Sequence, residues 1–290
     1  MSLQACSRIE NYGVEETVQL RFDPVILTAT KADTHTEYPA DVPFGVQMWD
    51  YAMEQDPSEG IVFLDNARVT QTDGEWVPGD GVLWPGIDRN LAVLAYSPYG
   101  KASKAITREE GVCFDAVDTE KDQTDLLYTE LRHGLHRNND GGVVNLPFRH
   151  ALCYVDFAVR TNAKDEEHVE VRSLSLLSIA TEGSFQSLPM PEWTLTGAPH
   201  KVTFYSGLKL IGASNTLLPG SGAWVLPQAV RSIVHADLDY TAPNGDILPY
   251  SIESEPLVKI LEPGRHYTIV LSYLSGDEIL EVVEVNRQSL

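Results

Sequence analysis

Positive charge is scarce in this sequence. Lys and Arg number 21 against 42 Asp and Glu, a formal net charge of −21. Such a surface repels phosphate backbones, and no basic cluster overrides the average, so a nucleic-acid partner is disfavoured. Anionic membrane surfaces are disfavoured on the same ground, and solubility is the plain reading of the acidity. Cysteine is sparse too: three residues, an odd number, do not make a disulfide framework. Cys113 and Cys153 lie in apolar, strand-like stretches, where cysteine behaves as a small buried hydrophobe. Spacing leaves open whether they pair.

Long apolar runs are missing. Nothing approaches the roughly 18 residues that a membrane-spanning helix needs. Residues 1–5 are too short for the charged segment and apolar core of a signal peptide. Either the chain is cytoplasmic or its natural N-terminus lies upstream of Met1. Helical periodicity is nearly absent as well. So are the common catalytic patterns: no G-x-S-x-G elbow, phosphate loop, G-x-G-x-x-G or H-E-x-x-H occurs. Gly220-Ser221-Gly222, between Pro219 and Trp224, reads as a loop.

What is present is a succession of short β-branched and aromatic runs separated by Gly, Pro, Asn and Asp. They cover residues 18–27, 44–51, 91–96, 112–117, 151–159, 202–205, 232–240 and 267–273. Several alternate. Cys153, Val155, Phe157 and Val159 share one face, with Tyr154, Asp156 and Arg160 on the other. Tyr267, Ile269, Leu271 and Tyr273 repeat the pattern, with Thr268 and Ser272 opposite. A period of two with one apolar face predicts antiparallel sheets covered on one side, and many such strands predict a sandwich or barrel. The fold class is all-β. At 290 residues the chain is expected to form about two domains. The polar, Gly-rich stretch 137–142 marks the expected junction, giving residues 1–140 and 141–290.

Candidate chemistry is thin. His133 and His136 form an H-x-x-H pair, with His150 nearby, but no Cys or His pair completes a zinc set. Solvated loop histidines are the simpler reading, and His150 reads as a hydrogen-bonded structural residue. Residues 118–125 place carboxylates at alternate positions as a calcium loop does. They lack its Gly and terminal Glu, which favours a charged turn. Pairs such as Glu15-Glu16 and Glu166-Glu167 are expected by coincidence among 42 acids, so they do not indicate a glycosidase. Trp49, Trp76, Trp84, Trp193 and Trp224 include candidates for a sugar-stacking platform, although packing is the commoner role of tryptophan. No metal, cofactor or catalytic residue is assigned.

Four stretches, in order, resemble the fimbrillin-like family of Bacteroides-type surface pilins, which includes type V pilus subunits. They are Phe44-Gly45-Val46 before an alternating strand, and Trp84-Pro85-Gly86 leading to Leu91-Ala92-Val93-Leu94-Ala95-Tyr96-Ser97-Pro98. Next come Gln123-Thr124-Asp125-Leu126-Leu127-Tyr128 and Leu146-Pro147-Phe148-Arg149-His150-Ala151-Leu152. Leu226-Pro227-Gln228 and Glu262-Pro263-Gly264-Arg265-His266-Tyr267 complete the set. The resemblance implies two tandem transthyretin-like, Greek-key β-sandwiches. It implies a non-enzymatic fimbrial subunit, or an accessory or tip adhesin, at the cell surface and outer membrane.

It further implies export as a lipoprotein, proteolytic maturation near the first strand and assembly by strand exchange with other fimbrial subunits. Leu3-Gln4-Ala5-Cys6-Ser7 is similar to the end of a lipobox, which makes Cys6 the lipidation candidate and a lipid the only membrane anchor. Lys31 is the first candidate for cleavage and Arg21 the second. Val18, Leu20, Phe22 and Val25 are the residues of the exchanged strand. Host or bacterial surface glycans or proteins are the other expected partners. The rival from a different class is a secreted carbohydrate-binding β-sandwich module, supported by the tryptophans and residues 118–125. A hydrolase using scattered carboxylates is the third reading.

Overall fold

The computed structural model describes residues 17–28, 35–79, 81–138 and 142–290. Among them one 3-10 turn, Pro57–Glu59, interrupts an otherwise all-strand architecture with no α-helix. The first ten strands are β1 (Arg21–Leu27), β2 (His35–Glu37), β3 (Phe44–Ala52), β4 (Ile61–Thr72), β5 (Glu75–Val77), β6 (Arg89–Ser97), β7 (Cys113–Asp118), β8 (Leu127–Tyr128), β9 (Arg132–Leu135) and β10 (Val143–His150). All but β7 form one hydrogen-bonded array in the order β10-β8-β6-β3-β4-β5-β1-β2, with β9 also on β6. Because β1 also pairs with β10, the path closes on itself. β4 and β10 act as corners: β4 passes from β3 to β5, and β10 from β1 to β8. Closure pairs β1 along residues 21–26 with β10, and it buries a core of Phe44, Val46, Met48, Leu91, Val93 and Phe148.

The remaining strands are β11 (Cys153–Thr161), β12 (His168–Ile179), β13 (Glu182–Gln186), β14 (Glu192–Leu195), β15 (His200–Ile211), β16 (Thr216–Leu217) and β17 (Ala223–Val225). They continue with β18 (Gln228–Ser232), β19 (Val234–Thr241), β20 (Ile247–Glu253), β21 (Leu257–Leu261), β22 (Arg265–Leu274) and β23 (Ile279–Ser289). One sheet runs β16-β11-β22-β23 with β17 also on β11, and another runs β15-β12-β19-β20. The expected alternation sets their shared core: Cys153, Val155, Phe157, Tyr267, Ile269, Leu271 and Tyr273 are buried on one face. The opposite face is less wet than a period of two alone predicts, since Asp156, Ala158, Val270 and Ser272 are buried as well.

Two departures concern organisation. Sheet membership changes after His150 rather than after residue 140, because β10 returns to pair with β1 and β8. The halves also share a third core: Trp49, Tyr96 and Phe114 from the first pack with Phe185 and Leu226 from the second, and β7 pairs with β13. The run expected at 232–240 breaks at Ile233, whose carbonyl accepts from Leu177 N–H at 3.0 Å. Cys113 and Cys153 are free, buried thiols; Cys153 lies in the core of the last two sheets, and Cys113 lies outside it.

Candidate functional site

The first strand is held by three neighbours. β1 runs parallel to β10 from Arg21 opposite Val143 to Ile26 opposite Phe148. On its other side Phe22 meets Trp76 of β5, and residues 25–27 meet β2. The chain before β1 is tied down too: Trp84 N–H donates to Val18 O at 2.8 Å, and Leu20 N–H to Val82 O at 2.9 Å. Trp84 Nε1 donates to Gly142 O at 2.6 Å. Gly142 has φ +81, and an added Cβ would stand 2.5 Å from Val18 Cγ1, so this crossing requires glycine.

The side chains on β1 follow the two-residue period. Leu20, Phe22 and Ile26 are buried among Tyr38, Phe44, Trp76 and Phe148, with Val18 packed at the margin. Phe22 and Phe44 meet edge to face at 6.1 Å. Full burial of three such side chains contributes on the order of 5–9 kcal/mol before entropy is counted. Val25 lies on the same strand, half-buried on the opposite face, and Ile26 takes the next core position. The two-residue period continues through Pro24. Proline is tolerated there because, among the described residues, no strand on that side faces it between the Phe22 and Val25 pairings.

The maturation candidates separate. Arg21 lies inside the paired strand and forms an ion pair with Glu75 at 2.6 Å. Lys31 and Cys6 fall outside the described residues. Lys31 is the single basic residue of segment 28–34, which joins β1 to β2.

The other candidates resolve into structural roles. His136 Nε2 bonds to Ile87 O at 2.7 Å, and among the described residues no cluster of three metal-ligating side chains includes it or His133. His150 Nδ1 bonds to Asp125 Oδ1 at 2.9 Å while its ring stacks on Trp224, centroids 5.6 Å apart. In 118–125 two of the four carboxylates are taken by lysines, Asp118 by Lys121 at 2.6 Å and Asp122 by Lys101, and the other two by His200 and His150. The Lys121 ammonium holds Asp118 below the usual carboxylate range, and Lys101, with Thr124, does the same for Asp122. Trp49, Trp76 and Trp84 are core residues, whereas Trp193 and Trp224 are half-exposed at the junction of the halves.

The fimbrillin-like family model matches residues 30–286. Among solved structures, a fimbrial protein from Bacteroides vulgatus aligns with TM-score 0.68 at 15% identity, covering 93% of this chain and 99% of that one. A protein named for cell adhesion from Bacteroides ovatus aligns with TM-score 0.58 at 14% identity, covering 95% and 99%. Another from Bacteroides uniformis gives 0.54 at 15%, covering 93% and 97%. At these identities the likeness is one of fold. No curated protein matches the chain.

Proposed function

The chain belongs to the fimbrillin-like family, and on that premise we propose that it is a non-enzymatic pilus subunit or adhesin of the bacterial surface, assembled with other subunits by exchange of its first strand. The observation that supports this is the position of β1, which among the described residues is the one strand that closes the hydrogen-bonded path between β5 and β10. Removing it unpairs β10 along residues 143–148 and uncovers the apolar surface formed by Tyr38, Phe44, Trp76 and Phe148. A groove with an unpaired backbone edge and an apolar floor accepts an incoming strand by β-augmentation.

Cleavage at Lys31 frees the whole of β1. Cleavage at Arg21 leaves residues 22–27 in the sheet and opens no groove, so Lys31 is the maturation site on this reading. Leu20, Phe22 and Ile26 are the anchors that the incoming strand replaces, and Val18 sits at their margin. Cys6 carries the lipid that delivers the chain to the outer membrane. The two units divide between His150 and Cys153, where sheet membership changes, and each is a transthyretin-like sandwich.

Limited trypsin treatment followed by mass spectrometry and unboiled gel electrophoresis tests the proposal. Cleavage after Lys31 with loss of β1 and a detergent-resistant ladder is the expected result. A monomer that keeps β1 after exhaustive digestion overturns it.

A further inference from the structure

A second feature lies at the junction of the halves, away from the first strand. Residues 119–123 pack beside β17 and the adjoining parts of β12 and β15, and a cavity of about 170 Å³ opens between them. Trp224, Phe204 and Ile179 supply apolar surface, while Glu120, Thr181 and Thr203 supply oxygen atoms. The two features that separately supported carbohydrate binding in the sequence, a tryptophan and the 118–125 stretch, therefore meet in one place.

The site is preformed. Gln123 clamps the main chain of Trp224: its Oε1 accepts from Trp224 N–H at 2.6 Å, and its Nε2 donates to Trp224 O at 3.2 Å. His150 stacks on the indole, and Tyr154 meets it edge-on at 5.2 Å. Glu120 is held at the rim by His200, Nε2 to Oε2, at 2.9 Å. Thr181 also lines the cavity, and its carbonyl accepts from the Thr119 N–H at 2.9 Å.

The lining selects the ligand class. It contains no lysine or arginine, and it carries Glu120 on a chain of net charge −21, so carboxylate and phosphate groups are repelled. An aromatic and aliphatic wall facing a few hydroxyl and carboxylate oxygens suits a ring with one C–H face and a rim of hydroxyls. The volume is below the roughly 300 Å³ at which drug-sized sites begin, which fits a single ring. We propose that this cavity binds one neutral hexopyranose residue of a surface glycan. The inference does not rest on strand exchange.

Saturation-transfer NMR on the full chain, with methyl glycosides of glucose, galactose and mannose, tests it, with methyl N-acetylneuraminate as the anionic comparison. Transfer from at least one neutral glycoside is expected, with little from the anionic one. Trp224→Ala should weaken that binding about tenfold, the loss of one aromatic contact. Because Trp224 also packs at the junction, Glu120→Ala, at an exposed rim position whose ion pair with His200 is a surface one, is the second variant. It should weaken binding severalfold with an unchanged melting temperature. Absence of transfer from every neutral glycoside at tens of millimolar, transfer indifferent to both substitutions, or preference for the anionic sugar each overturns the assignment.

Discussion

Truncating Phe22 to alanine tests how firmly the first strand is held and where its influence ends. Phe22 is 4% exposed and sits edge to face with Phe44 at 6.1 Å. Phe→Ala in a packed core costs about 3–5 kcal/mol, of which the aromatic pair supplies about 0.5–1.5. The surroundings resist collapse, because Phe44 is fixed by further ring contacts to Tyr38, Trp76 and Phe148 at 5.3–5.6 Å. We therefore expect about 4 kcal/mol. Hydrogen exchange resolved to peptides is the suitable assay, since a single unfolding free energy is ill-defined for a chain of several cores. At 1.4 kcal/mol per decade, amide protection in β1 and β10 should fall by about a thousandfold.

The spatial pattern carries as much information as the size. Phe22 belongs to a cluster that shares no residue with the one around Phe157 and Ile269, so protection in β11 and β22 should be unchanged. Val25→Ala is the matched comparison on the same strand: its side chain is half-buried on the other face and should change protection by less than about tenfold. A loss in β10 below tenfold for Phe22→Ala, or equal losses in β10 and β22, would refute the claim that β1 seals one separate core.

Gly142→Ala combines a φ of +81 with a Cβ 2.5 Å from Val18, and should lower amide protection in the strands around Val18 by about tenfold to a hundredfold; a neutral effect would show that Val18 moves aside freely. Burial pushes Tyr38, Tyr128 and Tyr273 up to about 12, so three tyrosines should ionise late in an ultraviolet titration of the folded protein. The unfolded chain ionises these groups near 10.0, so folding stability should fall as pH rises from there towards 12. Burial also raises Cys113 and, further, Cys153, so thiol reagents should label them at neutral pH only on unfolding. His200 is raised by its bond to Glu120, so with Glu120 ionised the pair holds below the histidine's folded value and is lost as pH rises through it; Glu120→Gln should bring its NMR titration midpoint down.

What the sequence disclosed and what it withheld differ in range. Alternation in 151–159 and 267–273 is local, and it identified the buried faces of β11 and β22 correctly. The same period of two runs along the first strand, where Phe22, Pro24 and Ile26 are buried and Val25 is not. Neighbours are another matter. β1 and β10 are parallel strands more than a hundred residues apart, and no turn between them advertises the pairing. The Gly-rich stretch at 137–142 has a linker's composition, yet Gly142 is where the chain crosses Val18 closely enough to need glycine. Composition signals freedom of the backbone, and a close crossing demands the same freedom as a hinge. Trp224 shows the converse limit. Its own residues gave no ground for preferring it over the other four tryptophans, because its setting depends on Gln123 and His150, brought to it by the packing of the two halves. A cavity assembled from distant strands is therefore legible only once the chain is folded, whereas the faces that build each sheet are written in the strands themselves.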